Sequence, residues 1–357
     1  MAVVGCGFVA QRRHIPSFLR LKKTVELSAL CDLNLCLGEE VSKKFGIQNT
    51  YSNLSEMLQK EKLDIIDICT PPSAHMAVAV EAIEHGCNVL MEKPMALKVS
   101  DCNKMTDYSK KYGVKLSIVH NQRFYPPFMK AQELVSSGAI GKIMGMRVLS
   151  LTNKNEYMTH EGHWVHKLPG GVINETGPHT VYMSLAFMNC VKDVAVFASK
   201  TLDYPWVLYD DYRIRLEGQS LTTSIYVSHA GDYTSSEVDL FGAEGVIKIS
   251  LESMLLTKSR LGELKPSSVA IYSLSNAGQI VKGVASNISR VVFHKPMLGH
   301  DIMIERFVNS LMSNQPVPVT PEEGRETVRI MNTIVGKVAR IEREREGEFL
   351  ITGRSSV

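Results

Sequence analysis

The sequence predicts an α/β protein: an N-terminal doubly wound parallel sheet, then an α+β domain with a largely antiparallel open sheet. Three observations carry this. The first third of the 357 residues alternates short apolar runs with segments of helical periodicity. Three of those helical segments stop at Gly46, Gly86 and Gly113, just ahead of the next apolar run, where glycine accepts the left-handed closing turn. Beyond about residue 121 the apolar residues alternate with polar ones instead, as in Tyr212–Glu217 "YRIRLE" and Leu221–His229 "LTTSIYVSH", the pattern of strands with one wet face. A chain this long exceeds the roughly 250–300 residues that one core usually serves. Two domains are therefore expected, 1–121 and 122–357.

In order, strands are expected at Ala2–Val4, Val25–Cys31, Asp64–Thr70, Val89–Met91 and Lys115–His120. Crossover helices lie between them, such as His75–His85 with its apolar face. A helix follows Pro126-Pro127 and runs to about Gly138, and two amphipathic helices near Asp301–Met312 and Glu322–Glu346 close the chain. The hydrophobic content of 44% and charged content of 22% are globular averages. A net charge of +3 is too small to argue for nucleic acid or an anionic membrane. The seven cysteines are odd in number and contain no Cys-x-x-Cys pair; Cys6, Cys31, Cys69 and Cys87 sit in or beside apolar runs. That usage suits a reducing compartment. With no apolar run near the roughly 18 residues of a bilayer span and no leader-like start, a cytoplasmic protein is expected.

The first strand runs into "GCGFVA", Gly5-x-Gly7-x-x-Ala10, opening a helix. In such a turn the first glycine permits the reversal, the second admits a pyrophosphate to the backbone, and the small third residue lets helix and strand pack. The helix N-terminus adds partial positive charge. The second strand ends in Asp32, 22 residues after Ala10, the position of a carboxylate that grips the adenosine ribose. Together these predict a Rossmann dinucleotide site. Asp32 would repel a 2′-phosphate, so NAD is favoured; Arg12 and Arg13 on the first helix leave NADP possible. In an open α/β sheet ligands bind beyond the carboxyl ends of the strands. "TPPSAH", Thr70–His75, and "MEKP", Met91–Pro94, end the third and fourth strands and so share that rim. The alternative for Glu92-Lys93 is a surface turn.

"GCGFVA", "TPPSAH", "MEKPMAL" and "GGVINETGPH" occur in that order. The chain thereby resembles the glucose–fructose oxidoreductase / inositol dehydrogenase / rhizopine-catabolism family of NAD(P)-dependent oxidoreductases, over nearly its whole length. The resemblance includes Asn121-Gln122-Arg123-Phe124 and the closing "VPVTPEEGRETVRIM". It implies Lys93 as the catalytic lysine of Glu-Lys-Pro and His179 as general base. Glu175, the third implied catalytic residue, which would orient or tune this pair, stands where the family usually has Asp, and Tyr182, on the substrate side, stands where many members have a second Asp. The implied cofactor-binding residues are Gly5, Gly7, Phe8, Val9, Asp32, Thr70, Pro71, Pro72, His75, Glu92, Lys93 and Asn121. The implied substrate is a secondary alcohol or ketone of a sugar, sugar derivative or cyclitol, handled by a homodimer or homotetramer assembled through the C-terminal sheet. The family also contains a non-catalytic dinucleotide-binding regulator and glycosidase-like enzymes with tightly bound NAD. Retention of both Lys93 and His179 argues against the regulator.

The residues themselves agree. Glu175 and His179 are spaced i,i+4 and share one face of a helix. Pro178 is best tolerated in a first turn, which would put both at the helix start. A solvated or capping pair is the alternative. His160, His163 and His166 form His-x-x-His-x-x-His, with no fourth ligand evident; a metal is not expected there. His163 and Trp164 suit a substrate loop instead. Arg123 and Tyr125 are candidates for substrate or nicotinamide contact, with junction packing as the alternative. His75 is expected to cap its helix or meet the nicotinamide ribose. His14 and His85 are expected on helix surfaces, and Lys93-Pro94 is expected to be cis, at a strand end where proline removes no ladder bond.

Overall fold

The computed structural model describes residues 1–188, 190–260, 262, 264–293 and 298–352, the side chains of 345–352 excepted. The chain divides into two compact units, Met1–Phe124 with Pro296–Arg329, and Tyr125–Lys295 with Ile330–Val357.

The first unit is built on six parallel strands: β1 (Ala2–Val4), β2 (Ala29–Cys31), β3 (Asn49–Tyr51), β4 (Ile65–Ile68), β5 (Asn88–Met91) and β6 (Leu116–Ile118). Their order is β3-β2-β1-β4-β5-β6, every pairing parallel. The order reverses between β1 and β4, which is where the doubly wound fold opens its ligand crevice. Val3, Leu30, Ile66 and Leu90 are fully buried, as strands covered on both faces require. Gly46 and Gly113 close helices Leu35–Phe45 and Val99–Tyr112 in the left-handed conformation.

The sequence reading places all residues after 121 in the second domain. The structure instead packs Pro296–Arg329 with the first unit. Its polar groups explain the attachment. Asp301 accepts from Ser17 Oγ at 2.6 Å and pairs with Arg20. Lys115 Nζ donates to the carbonyls of Ser310 and Gln315, and Ser117 Oγ to that of Val319.

The second unit carries β7 (Ile143–Leu151), β8 (Val191–Ser199), β9 (Asp211–Gly218), β10 (Thr222–Ser228), β11 (Ser235–Gly242), β12 (Val246–Ser250) and β13 (Leu255–Ser259). The order is β13-β12-β11-β7-β10-β9-β8; only the β7–β10 pair is parallel. Val148, Ile214, Ile225, Val238 and Ile249 share the core with Val181 of helix Ile173–Leu185 and with Ile334 and Val338 of helix Pro321–Thr352. The opposite face is charged. Arg147 pairs with Asp239 at 2.6 Å, and Arg213 pairs with Asp211 while lying 3.5 Å over the Tyr226 ring. Helix Pro266–Val292, which the sequence pattern does not announce, packs along β13.

Candidate active site

In the first unit the glycine loop follows β1. Gly5 has φ +94°, and a Cβ there would lie 2.7 Å from the Cys69 carbonyl carbon, so neither the turn nor its approach to the end of β4 admits a side chain. A Cβ on Gly7 would face open space, as a backbone cradle for a ligand requires, and Ala10 is buried beneath it. Asp32 closes the loop from β2: Oδ2 accepts the Cys6 N–H at 2.7 Å and Oδ1 the Asn34 N–H at 2.8 Å. Phe8 is exposed with the Arg12 guanidinium 5.7 Å above its ring, and Val9 is half-buried. After β4, Pro71 is exposed and Pro72 half-buried. The buried Thr70 hydroxyl has no hydrogen-bond partner among the described residues. An open glycine cradle, a carboxylate beside it and an orphaned hydroxyl on the same rim fit a dinucleotide.

His75 sits below this rim rather than on it. It is fully buried, with Nδ1 3.0 Å from the Pro94 carbonyl and Nε2 2.8 Å from that of Thr70. Burial pushes its pKa down against the two facing carbonyls, which push it up, and the ring bridges the segments that follow β4 and β5.

The sequence reading puts His14 on a helix surface; the structure corrects this. Residues Ala10–His14 form a π-helical turn, and His14 is fully buried. The wider turn rotates His14 away from the register that a regular helix would give it. Its Nδ1 lies 2.9 and 3.0 Å from the two oxygens of Asp67, and its Nε2 2.9 Å from Glu92 Oε1. Both ring nitrogens face carboxylates, so both donate and the ring is an imidazolium. Burial alone would lower its pKa, but the charge of Asp67 overrides that and holds it well above the usual 6.5. His300 Nε2, 3.3 Å away, also faces Glu92 Oε1. Burial opposes the charge on Glu92, yet these two histidines keep its pKa well below the ordinary 4.5. Groups His14–Asp67–Cys69 and His14–Glu92–His300 lie close enough to hold a cation; hydrogen bonds account for both arrangements. The signal for this network is Asp67, a carboxylate in the middle of a buried strand, which burial permits only with a partner.

Glu92 acts on the adjoining peptide. Its Oε2 accepts the Lys93 N–H at 3.0 Å, and Lys93-Pro94 is cis. Lys93 itself is half-buried, so β5 leads from the core to a lysine fixed at the sheet edge. Asn121 is buried in the 3₁₀ turn after β6, and Arg123 Nη1 donates to Glu323 at 2.7 Å.

In the second unit, helix Ile173–Leu185 carries Glu175, His179 and Tyr182. Pro178 lies in its second turn, one turn later than expected, and withholds the bond its N–H would make to residue 174. Gly177 lets the helix approach Met331, whose Cε would be 2.8 Å from a Cβ. His179 is half-buried, and its Nδ1 lies 2.7 Å from the hydroxyl of Tyr182, which is 1% exposed. Tyr182 thus addresses the histidine rather than open space. Nearby, His163 stacks edge-on with Tyr157 at 5.4 Å and tilts against Trp164, which is 46% exposed. Burial and the neighbouring His166 and His160 lower the His163 pKa, opposed by the charge of Glu175. The loop is pinned by Trp206 Nε1 to the Met158 carbonyl and by His166 Nε2 to that of Tyr157. Tyr125 is half-buried at the start of helix Pro126–Ser136.

Comparison with known proteins bears on the family and the fold. Residues 1–120 match the oxidoreductase family with NAD-binding Rossmann fold, and residues 128–248 match the C-terminal domain of the same GFO/IDH/MocA family. The chain is 27% identical over 198 residues to oxidoreductase P35 of Formosa agariphila, covering 54% of this chain and 61% of that protein. It is 30% identical over 143 residues to D-glucoside 3-dehydrogenase of Escherichia coli, covering 40% of each. It is 25% identical to D-apiose dehydrogenase of Paraburkholderia graminis, covering 73% of this chain and 70% of that one. The first two matches thus span less than two thirds of those relatives' length. Among solved structures, the WlbA dehydrogenase of Bordetella pertussis, in complex with NADH and UDP-GlcNAcA, superposes with TM-score 0.76 at 19% identity, covering 96% of both chains. Myo-inositol 2-dehydrogenase of Lactobacillus plantarum superposes with TM-score 0.75 at 18% identity, covering 96% of this chain and 97% of that one. At these identities the superpositions speak to fold. With family matches to both of its halves, this chain belongs to the GFO/IDH/MocA family of NAD-binding oxidoreductases.

Proposed function

We propose that this protein is an NAD-dependent dehydrogenase that oxidises a secondary alcohol of a sugar, sugar derivative or cyclitol, or reduces the corresponding ketone. The observation that carries the reading is Lys93, anchored at the end of β5 by Glu92, on the rim that holds the glycine loop and Asp32. The relatives named for glucoside, apiose and inositol oxidation support the substrate class. Gly5, Gly7, Asp32 and Thr70 would hold the dinucleotide, with Asp32 favouring NAD over NADP. When bound, the nicotinamide supplies hydride acceptance and donation at carbon.

The chain's own residues handle the oxygen and the proton. Lys93 donates a hydrogen bond to the reacting oxygen and stabilises the negative charge that grows there. His179 takes the hydroxyl proton, a task suited to imidazole near neutral pH. Tyr182 fixes the ring through Nδ1. Glu175, one turn before His179 on the same helix, orients or tunes the catalytic groups. Arg123, Tyr125, His163 and Trp164 are the substrate-side candidates. A homodimer or homotetramer joined through the open sheet belongs to the same reading.

The test is a panel of aldoses, ketoses, glycosides and cyclitols, assayed with NAD and with NADP. Net NADH formation from one of them, with weaker turnover on NADP, is the expected result. Binding of NAD without turnover of any member, in either direction, would sink the enzymatic reading.

A further inference from the structure

Helix Pro266–Val292 is turned inside out. Its polar face meets its own chain: Gln279 Nε2 donates to the Lys258 carbonyl at 3.0 Å and its Oε1 accepts the Lys258 N–H at 2.8 Å. Asn287 Nδ2 donates to the carbonyls of Ser253 and Met254. Gly283 lets the helix close on β13, where a Cβ would lie 2.6 Å from Leu255 Cδ2. No residue of the helix is buried. The apolar residues lie on the other side. Ala270, Leu274, Ala277, Val281, Val284, Ile288 and Val291 follow one another at alternating spacings of four and three, and all are exposed. Leu274 is 73% exposed and Val281 69%.

A surface helix normally buries its apolar stripe and wets its polar one. The strict four–three alternation is the seam of a helix that packs knobs-into-holes against another helix. From it we infer that helix Pro266–Val292 pairs with the same helix of a second copy of this chain. The seam is complementary to itself, as a twofold contact requires. Lys282 and Arg290 are the only charged residues on the helix, so little charge opposes self-association. At 1.5 Å per residue the helix is about 40 Å long. At roughly 60–120 Å² per aliphatic side chain, two such seams bury on the order of 1,200 Å² in total, the lower end of the range for specific interfaces. This surface is distinct from the charged face of the sheet, whose Arg147–Asp239 and Arg213–Asp211 pairs offer no apolar seam.

The test compares the full-length protein with the double variant Val281→Glu/Ile288→Glu by sedimentation velocity at micromolar concentration. Both positions are exposed, and unchanged thermal unfolding and NADH titration check that the variant folds. The expected result is a halving of the mass of the largest species. Independently, Val281 lies at the middle of the seam and meets its own copy in a parallel or an antiparallel pair. Val281→Cys should therefore give a covalent dimer on mild oxidation that the wild type does not give. Equal masses for wild type and double variant, or no covalent dimer from Val281→Cys, would overturn the pairing. So would flotation of the wild type, but not the double variant, with phosphatidylcholine/phosphatidylglycerol vesicles, which would assign the seam to a lipid surface.

Discussion

The surroundings of Lys93 and of His179 differ in kind. Below Lys93, Glu92 is held by two histidines, and His14 is in turn held by Asp67, all of them buried. His179 is half-buried and bonded through Nδ1 to Tyr182 on its own helix. The difference follows the chemistry proposed for each. A lysine that must stay aimed gains from a backbone N–H held by a fixed, buried carboxylate. A histidine that must gain and lose a proton gains from water and from one orienting bond.

The sharpest way to break this comparison is to remove each catalytic group in turn. Lys93→Met should lower kcat by about three orders of magnitude, within the range seen when an oxyanion-stabilising donor is lost, while NADH affinity measured by fluorescence titration stays within about threefold. His179→Asn should lower kcat by about two to three orders, as loss of a general base does. Near-normal kcat in Lys93→Met on the true substrate would make Lys93 a surface turn residue after all.

The second prediction addresses the buried network. His14→Leu leaves Asp67 and Glu92 without their shared cation, and breaking a buried pair costs about 3–5 kcal/mol. Chemical denaturation should show that loss. The pH dependence has a definite sign. The folded pKa of His14 is raised, so its contribution is complete below the ordinary 6.5 and fades as pH rises through the higher folded value. The folded pKa of Glu92 is lowered, so its contribution is complete above the ordinary 4.5 and fades as pH falls through the lower folded value. The stability that this pair confers should thus be greatest between those two pH values. The decline on the alkaline side should be shallower in His14→Leu than in the wild type. Parallel pH profiles for the two proteins would show that the network is not charged as described.

Much of the first unit was legible because its signals are local. An apolar run, a glycine-terminated helix and the next run specify a buried parallel strand wherever they recur, and the Gly5–Gly7 turn and Asp32 lie on adjacent strands. Strand β3 was not legible: Asn49–Tyr51 is a half-buried edge with no apolar run. His14 was expected on a helix surface, whereas the π-helical turn Ala10–His14 and the distant carboxylates of Asp67 and Glu92 hold it inside. Pro296–Arg329 looked like part of the second domain because sequence distance hides the bonds from Asp301 and His300 back to the first unit. Helix Pro266–Val292 escaped notice because its seam is interleaved with serine, asparagine and glycine, and its polar side is the one that packs. Each of these depends on contacts between residues far apart in the chain, or on a turn that departs from regular spacing.

The third prediction concerns Asp32. Asp32→Ala should weaken NAD binding by about tenfold and leave NADP less affected, since removing a carboxylate that grips a ribose also removes its repulsion of a 2′-phosphate. Calorimetric titration of both cofactors measures this. Because Asp32 also accepts the Cys6 N–H, a small loss of affinity common to both cofactors should accompany the change in preference. Tighter binding of NADP than NAD by the wild type would show that Arg12 or Arg13 outweighs the carboxylate.

The smallest expected effect is also the most direct test of how His179 is oriented. A neutral imidazole carries its proton on one nitrogen or the other, and the partner of Nδ1 selects which. Tyr182 Oη, 2.7 Å away and buried, fixes the ring through Nδ1; the tautomer in which Nδ1 donates to the phenol oxygen is the one whose Nε2 can accept a proton from substrate. Tyr182→Phe removes that acceptor but keeps the ring that fills the core, so the helix should stay folded. A modest change in stability of about 1 kcal/mol is expected, the size of one hydrogen bond. Without the acceptor the imidazole divides its time between tautomers and ring orientations, and only a fraction remains competent. The expected result is a fall in kcat of about three- to tenfold, far short of the loss in His179→Asn, because the base itself remains. KM should change little if Tyr182 acts through His179. A large rise in KM with kcat preserved would instead place the Tyr182 hydroxyl on the substrate, and would mean that His179 is oriented by other neighbours.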